Sequence, residues 1–133
     1  MAKNIVLKPL TTNEEITAEI NSNVPLFDKL VRLGVTPSLK GFRYVMTAVR
    51  LIKGDYLYYL DSITKNLYPD IATVWGTNPA RVERSIRHLV EVLYTQGSGE
   101  SITELDALFG NCYDRCTGKP TNSEFLAVLG SKF

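Results

Sequence analysis

Between Arg81 and His88 the sequence reads RVERSIRH, which spaces Arg81, Arg84 and Arg87 three residues apart and ends on the chain's one histidine. On a helix turning about 100° per residue, Arg84, Arg87, His88 and Glu91 cluster on one side. A guanidinium offers a planar fork of donors that matches the O6 and N7 acceptors of guanine. Two such forks one helical turn apart can both reach base edges in one major groove. Glu83 can accept from a cytosine amino group or orient a neighbouring arginine, and His88 can donate to a phosphate or a base. The competing account is a solvated face carrying ion pairs such as Arg87 with Glu91. Three arginines at a helix start argue against it, because the positive end of the dipole disfavours them there. A pattern that opposes local stability points to an anionic partner.

Other chemistries find little in the sequence. Cys112-X3-Cys116 with His88 gives too few ligands, at the wrong spacing, for structural zinc. A lone histidine without a matching serine or cysteine dyad makes no nucleophilic site. There is no glycine-rich phosphate loop. Tyr56, Tyr58, Tyr59 and Tyr68 could stack on single-stranded bases, but they lie between apolar helices and are expected in the core. No catalytic residue, metal or cofactor is expected.

The arginines need a helix with a buried opposite face, and the sequence provides one. Val82, Ile86, Leu89, Val90 and Leu93 form an apolar stripe over a helix from about Asn78 to Gln96, with Asn78 as N-cap before Pro79. Upstream, a helix starting near Tyr68 puts Pro69 in its first turn and ends at Trp75. Gly76 then supplies the turn, Ala72 the small residue where two helices meet, and Val82 the apolar anchor of the second. Ser85 departs from the helix-turn-helix pattern, since an apolar residue is common there and Ile86 must serve instead. Further helices are expected over Pro25–Leu33 (closed by Gly34), Leu39–Lys53 (capped by Ser38), Ile102–Phe109 and Ser123–Leu129. Tyr56–Leu60 is a short helix or a turn, and Asn4–Leu7 is the only strand-like run. The fold class is all-α, about five to six helices around a central helix-turn-helix.

Fifteen basic and fourteen acidic residues leave a net charge of +1, so the whole chain is not basic. Six cations (Lys29, Arg32, Lys40, Arg43, Arg50, Lys53) nonetheless fall in one stretch without an acid, enough to build a basic face. No apolar run approaches the roughly 20 residues that span a bilayer. Two cysteines make no disulfide framework, so a reducing cytoplasm is the expected compartment.

Three separated stretches, SITKNLYPDIA (Ser62–Ala72), RVERSIRH (Arg81–His88) and PTNSEF (Pro120–Phe125), with KGFRY (Lys40–Tyr44) upstream, resemble one family. It is the DNA-binding effector domain of stage 0 sporulation protein A, the sporulation response regulator of endospore-forming bacteria. The resemblance runs from about Val24 to Phe133. It implies base contacts from Glu83, Arg84, Arg87 and His88, with the arginines reading guanines. Thr64, Lys65, Arg81 and Lys119 are the expected backbone contacts, adding affinity without sequence information. Two copies on adjacent sites are expected, and the resemblance also implies a sigma factor of RNA polymerase touched through the loop after the recognition helix. That loop, Gln96–Ser101, matches poorly, and Trp75-Gly76 replaces a less bulky pair at the turn.

Residues 1–23 fall outside the resemblance as an N-terminal arm or linker. Asn4–Leu10 (NIVLKPL) reads either as a linker or as a remnant of a receiver's last strand, with Thr12–Ile20 echoing the helix after it. The acidic phosphate-accepting pocket of a receiver is absent, so phosphorylation is not expected to act within this chain. Two functions stay open: a sequence-specific regulator of double-stranded DNA, or an interaction module of the same fold that pairs with a homologous regulator or polymerase without reading DNA.

Overall fold

Eight helices and no strand occupy the described residues (7–95, 99–110 and 118–133) of this computed structural model. They are α1 (Asn13–Ile20), α2 (Val24–Leu33), α3 (Lys40–Gly54), α4 (Tyr56–Asp61), α5 (Tyr68–Trp75), α6 (Pro79–Thr95), α7 (Gly99–Phe109) and α8 (Asn122–Lys132). The all-α expectation holds, and the count exceeds five to six because the short α1 and α4 are both formed. The strand-like run Asn4–Leu7 falls outside the described residues except for Leu7.

The organising element is α3, which buries residues on most of its surface and packs against α1, α4, α5, α6 and α8. Its partnership with α6 is the most extensive in the domain and depends on Gly41. A Cβ at that position would stand 2.3 Å from the Ser85 carbonyl oxygen and 3.0 Å from Leu89 Cβ. Bare backbone on α3 therefore lets the two helices touch. Ser38 does not cap this helix, contrary to expectation: the N-cap is Leu39, which makes no side-chain cap bond. The Ser38 hydroxyl lies instead 2.8 Å from that of Thr36, both within the turn.

Gly34 closes α2 in the left-handed region at φ 108°, as its position predicts. Ahead of α5, residues Ile63–Leu67 form one π turn, with the Tyr68 N–H bonded to the Ile63 carbonyl. Pro69 explains it, because a proline cannot donate to the carbonyl four residues back and its ring crowds the turn before it. Tyr59 and Tyr68 are buried as expected, whereas Tyr56 is exposed and its hydroxyl lies 3.2 Å from that of Ser131. At the far end α7 begins at Gly99, ahead of the expected Ile102, and Phe109 stacks on Phe125 of α8 with centroids 5.0 Å apart.

The N-terminal arm contributes a docked helix. Thr12 caps α1 by accepting from the Glu15 N–H at 3.1 Å, and Glu15 returns the bond to the Thr12 N–H. The Thr11 hydroxyl at 2.8 Å and the Thr11 N–H also donate to Glu15, and together these donors hold its carboxyl at about 2. Further along α1, the buried Glu19 carboxylate accepts from the Thr47 hydroxyl at 2.6 Å and from Arg50 Nε at 3.0 Å. Thr47 in turn accepts from the Trp75 indole N–H at 2.8 Å, and the Leu10 N–H donates to the Val74 carbonyl at 2.9 Å. The arm is thus tied to α3 and to the end of α5. Glu19→Ala strips the fully buried Thr47 hydroxyl of its charged acceptor and should lower stability by about 2 kcal/mol in urea unfolding. An unchanged midpoint would mean that α1 is undocked in solution.

Candidate nucleic-acid interface

The turn between α5 and α6 has the geometry two crossing helices require. Gly76 sits at φ 63°, ψ 40°, and its N–H and that of Thr77 both return to the Ala72 carbonyl. Ala72 is buried, so no larger side chain keeps the helices apart. Asn78 then starts α6, its side-chain oxygen accepting from the Arg81 N–H at 2.9 Å. Trp75, the bulky departure at the turn, is accommodated by leaning on α3. It forms an edge contact with Tyr44, with centroids 6.3 Å apart, and the Arg43 guanidinium lies 4.9 Å above its ring.

On α6, Val82, Ile86, Leu89, Val90 and Leu93 are all buried, and Arg81, Arg84, Arg87 and His88 are exposed. Each buried side chain stabilises by about 1.5–3 kcal/mol. An arginine opposing the dipole costs about 0.3–1 kcal/mol, so the apolar face fixes the helix and the cationic face is carried along. An ion pair within that face, Arg87 to Glu83 at 3.5 Å between half-exposed groups, contributes little in water.

Six of the eight expected contact residues sort into two clefts that share Arg87. The first runs between the start of α3 and the outer face of α6, and Arg84, Arg87, His88 and Glu91 line it opposite Lys40 and Gly41. The second lies between α6 and the start of α8, where Glu83 and Arg87 meet Thr64, Tyr68, Lys119 and Asn122. Lys119 Nζ stands 3.9 Å from Glu91 Oε1. Lys65 is exposed on the π turn, and its N–H donates to the Ser62 hydroxyl at 3.1 Å. Arg81 and Lys65 line neither cleft.

The basic stretch from Lys29 to Lys53 does not form one face. Lys29 and Arg32 pair with Glu104 at 3.4 and 3.1 Å, Arg50 with Glu19, and Lys53 bonds the Phe133 carbonyl, while Arg43 covers Trp75. Lys29 and Arg32 belong to α2, and the other four spread around α3, whose partners differ from side to side, so adjacency in sequence is not adjacency in space. Lys40 alone among the six stands beside the arginines of α6. Sequence reasoning missed it as a contact, although the KGFRY motif contained it. Asn122, inside PTNSEF, was not singled out either; its amide is turned to Glu83 and Tyr68 within the domain.

No group of three or more His, Cys, Asp or Glu among the described residues could hold a metal, and Cys112 and Cys116 lie outside them. No helix among those residues is long and apolar enough to cross a membrane.

A helix-turn-helix whose second helix turns an arginine-rich face outward defines a DNA-binding domain. Residues 26–133 match the family model described as sporulation initiation factor Spo0A C terminal, and the chain belongs to that family. It is a non-catalytic DNA-binding domain of a transcription regulator.

Proposed function

We propose that α6 lies in the major groove, with Arg84 and Arg87 on guanines, Glu83 and His88 on neighbouring edges, and Thr64, Lys65, Arg81 and Lys119 on the phosphates. The observation that carries this is the exposure of Arg84, Arg87 and His88 on one face of a helix whose other face is wholly committed to the core. Lys40, across the first cleft, is added as a phosphate contact. Two copies on adjacent sites complete the reading, with a sigma factor met through residues 96–101 on the strength of the family resemblance. Residues 1–23, outside the family match, are read as an N-terminal arm or linker, with a receiver remnant as the alternative.

The deciding experiment is fluorescence anisotropy with two short duplexes, one bearing a family-type site and one scrambled, at two salt concentrations. Preference for the site of at least about a thousandfold with a steep salt dependence is expected. Weak and equal binding to both would favour the interaction module, and mixing with a full-length relative without DNA would then reveal a hetero-complex. Lys40→Ala and Lys119→Ala should each weaken both duplexes alike and flatten the salt slope by about one unit. A loss confined to the specific duplex would instead put that lysine on a base.

A further inference from the structure

Asn122 opens α8 and sits against the recognition helix rather than in solvent. Its amide nitrogen is 3.1 Å from the Glu83 carbonyl oxygen, 3.2 Å from the Tyr68 hydroxyl and 3.5 Å from Glu83 Oε2. The two Glu83 oxygens can only accept, so the nitrogen, not the oxygen, of the amide must face them. The other carboxylate oxygen of Glu83 lies 3.5 Å from Arg87 Nη1. The nitrogen has two hydrogens for three acceptors, so α8 holds Glu83 chiefly at its backbone oxygen and meets one side of its carboxylate in the longest of the three contacts, while the other side of the carboxylate faces Arg87. The Thr121 capping box, in which the Thr121 hydroxyl accepts from the Glu124 N–H at 3.2 Å, fixes the first turn of α8 and with it Asn122.

We propose that Asn122 is a positioning residue for sequence reading: through Glu83 it sets the direction in which the Arg87 guanidinium is presented to the groove. This rests on the assignment of Arg87 to a base. An arginine reads a guanine only when its fork is aimed, and an exposed side chain with several rotatable bonds loses that aim when its carboxylate partner swings free. The amide belongs to a different helix from the one it steers, so the last helix of the domain takes part in specificity without a base contact of its own. Asn122 is not needed for charge, because it carries none. Its loss should blur discrimination more than it lowers affinity.

The test uses the whole chain, with a family-type duplex, its single-base variants and a scrambled duplex, all well below the unfolding temperature. Asn122→Ala should reduce discrimination about fivefold at the base pair where Arg87→Ala also reduces it, and leave the other positions and the scrambled duplex unchanged. In a Glu83→Ala background most of that effect should vanish, since the carboxylate it acts through is gone. Asn122→Asp, which keeps the volume and sets a second carboxylate beside Glu83, should blur the same base pair at least as much. A uniform loss at every position would make Asn122 a purely structural residue and overturn the proposal, as would an equal fall in both backgrounds. If Arg87→Ala itself leaves discrimination intact, the groove assignment fails, which is a separate result from Asn122→Ala failing while Arg87→Ala succeeds.

Discussion

Gly41→Ala should destabilise the domain by about 1–3 kcal/mol and weaken specific DNA binding with it, although no atom of Gly41 reaches beyond the backbone. Ordinarily alanine in a helix interior gains up to about 1 kcal/mol over glycine. Here the added methyl would stand 2.3 Å from the Ser85 carbonyl oxygen, a backbone atom inside α6 that cannot rotate aside. Overpacking of this kind costs about 1–3 kcal/mol, and relief comes only from moving one helix off the other. Since α3 carries Lys40 and α6 carries Arg84 and Arg87, the movement widens the cleft between them. Urea unfolding and anisotropy with the specific duplex check both parts. A variant as stable as the parent, or more so, would show that α3 and α6 are not in close contact at this point in solution.

That contact explains why Ser85 could be read only as a departure from the pattern. In a helix-turn-helix an apolar residue there would fill space against the rest of the domain, but here the space is closed by α3 approaching at a glycine. A glycine inside a helical run looks like a blemish until its neighbour is known, and Gly130 is the same case, with its missing Cβ 2.6 Å from Ile52 Cγ2. Features governed by local rules were legible: the apolar stripe of α6, Gly34 and Gly76 in the left-handed region, Asn78 as cap, and the start of α5 near Tyr68. Features that need two distant segments were not. The split of the basic stretch among Glu104, Glu19, Trp75 and Phe133 depends on helices up to 80 residues away. Asn122 beside Glu83 joins residues 39 apart, and no periodicity marks such a pair. Ser38 failed as a cap for a nearer reason, since the helix begins one residue later than its side chain could serve.

Arg84→Ala and Arg87→Ala should each reduce affinity for the specific duplex by about 1–3 kcal/mol and relax discrimination at one base pair, with stability almost unchanged. The two effects separate because of what the side chains touch in the free protein. Arg87 has a half-exposed partner in Glu83 at 3.5 Å, a pair of the kind that adds about 0–1 kcal/mol or less to folding, and Arg84 is exposed. Nearly all of any measured loss must then come from the complex. Arg87→Lys makes the distinction sharper: it keeps the positive charge and so the salt dependence, but a single ammonium cannot grip O6 and N7 together. Retained affinity for the scrambled duplex with lost preference for the site is the expected signature of a base-reading fork. Affinity left intact in both alanine variants would move the reading surface elsewhere, and the exposed cationic face of α6 would then have to answer to a protein partner.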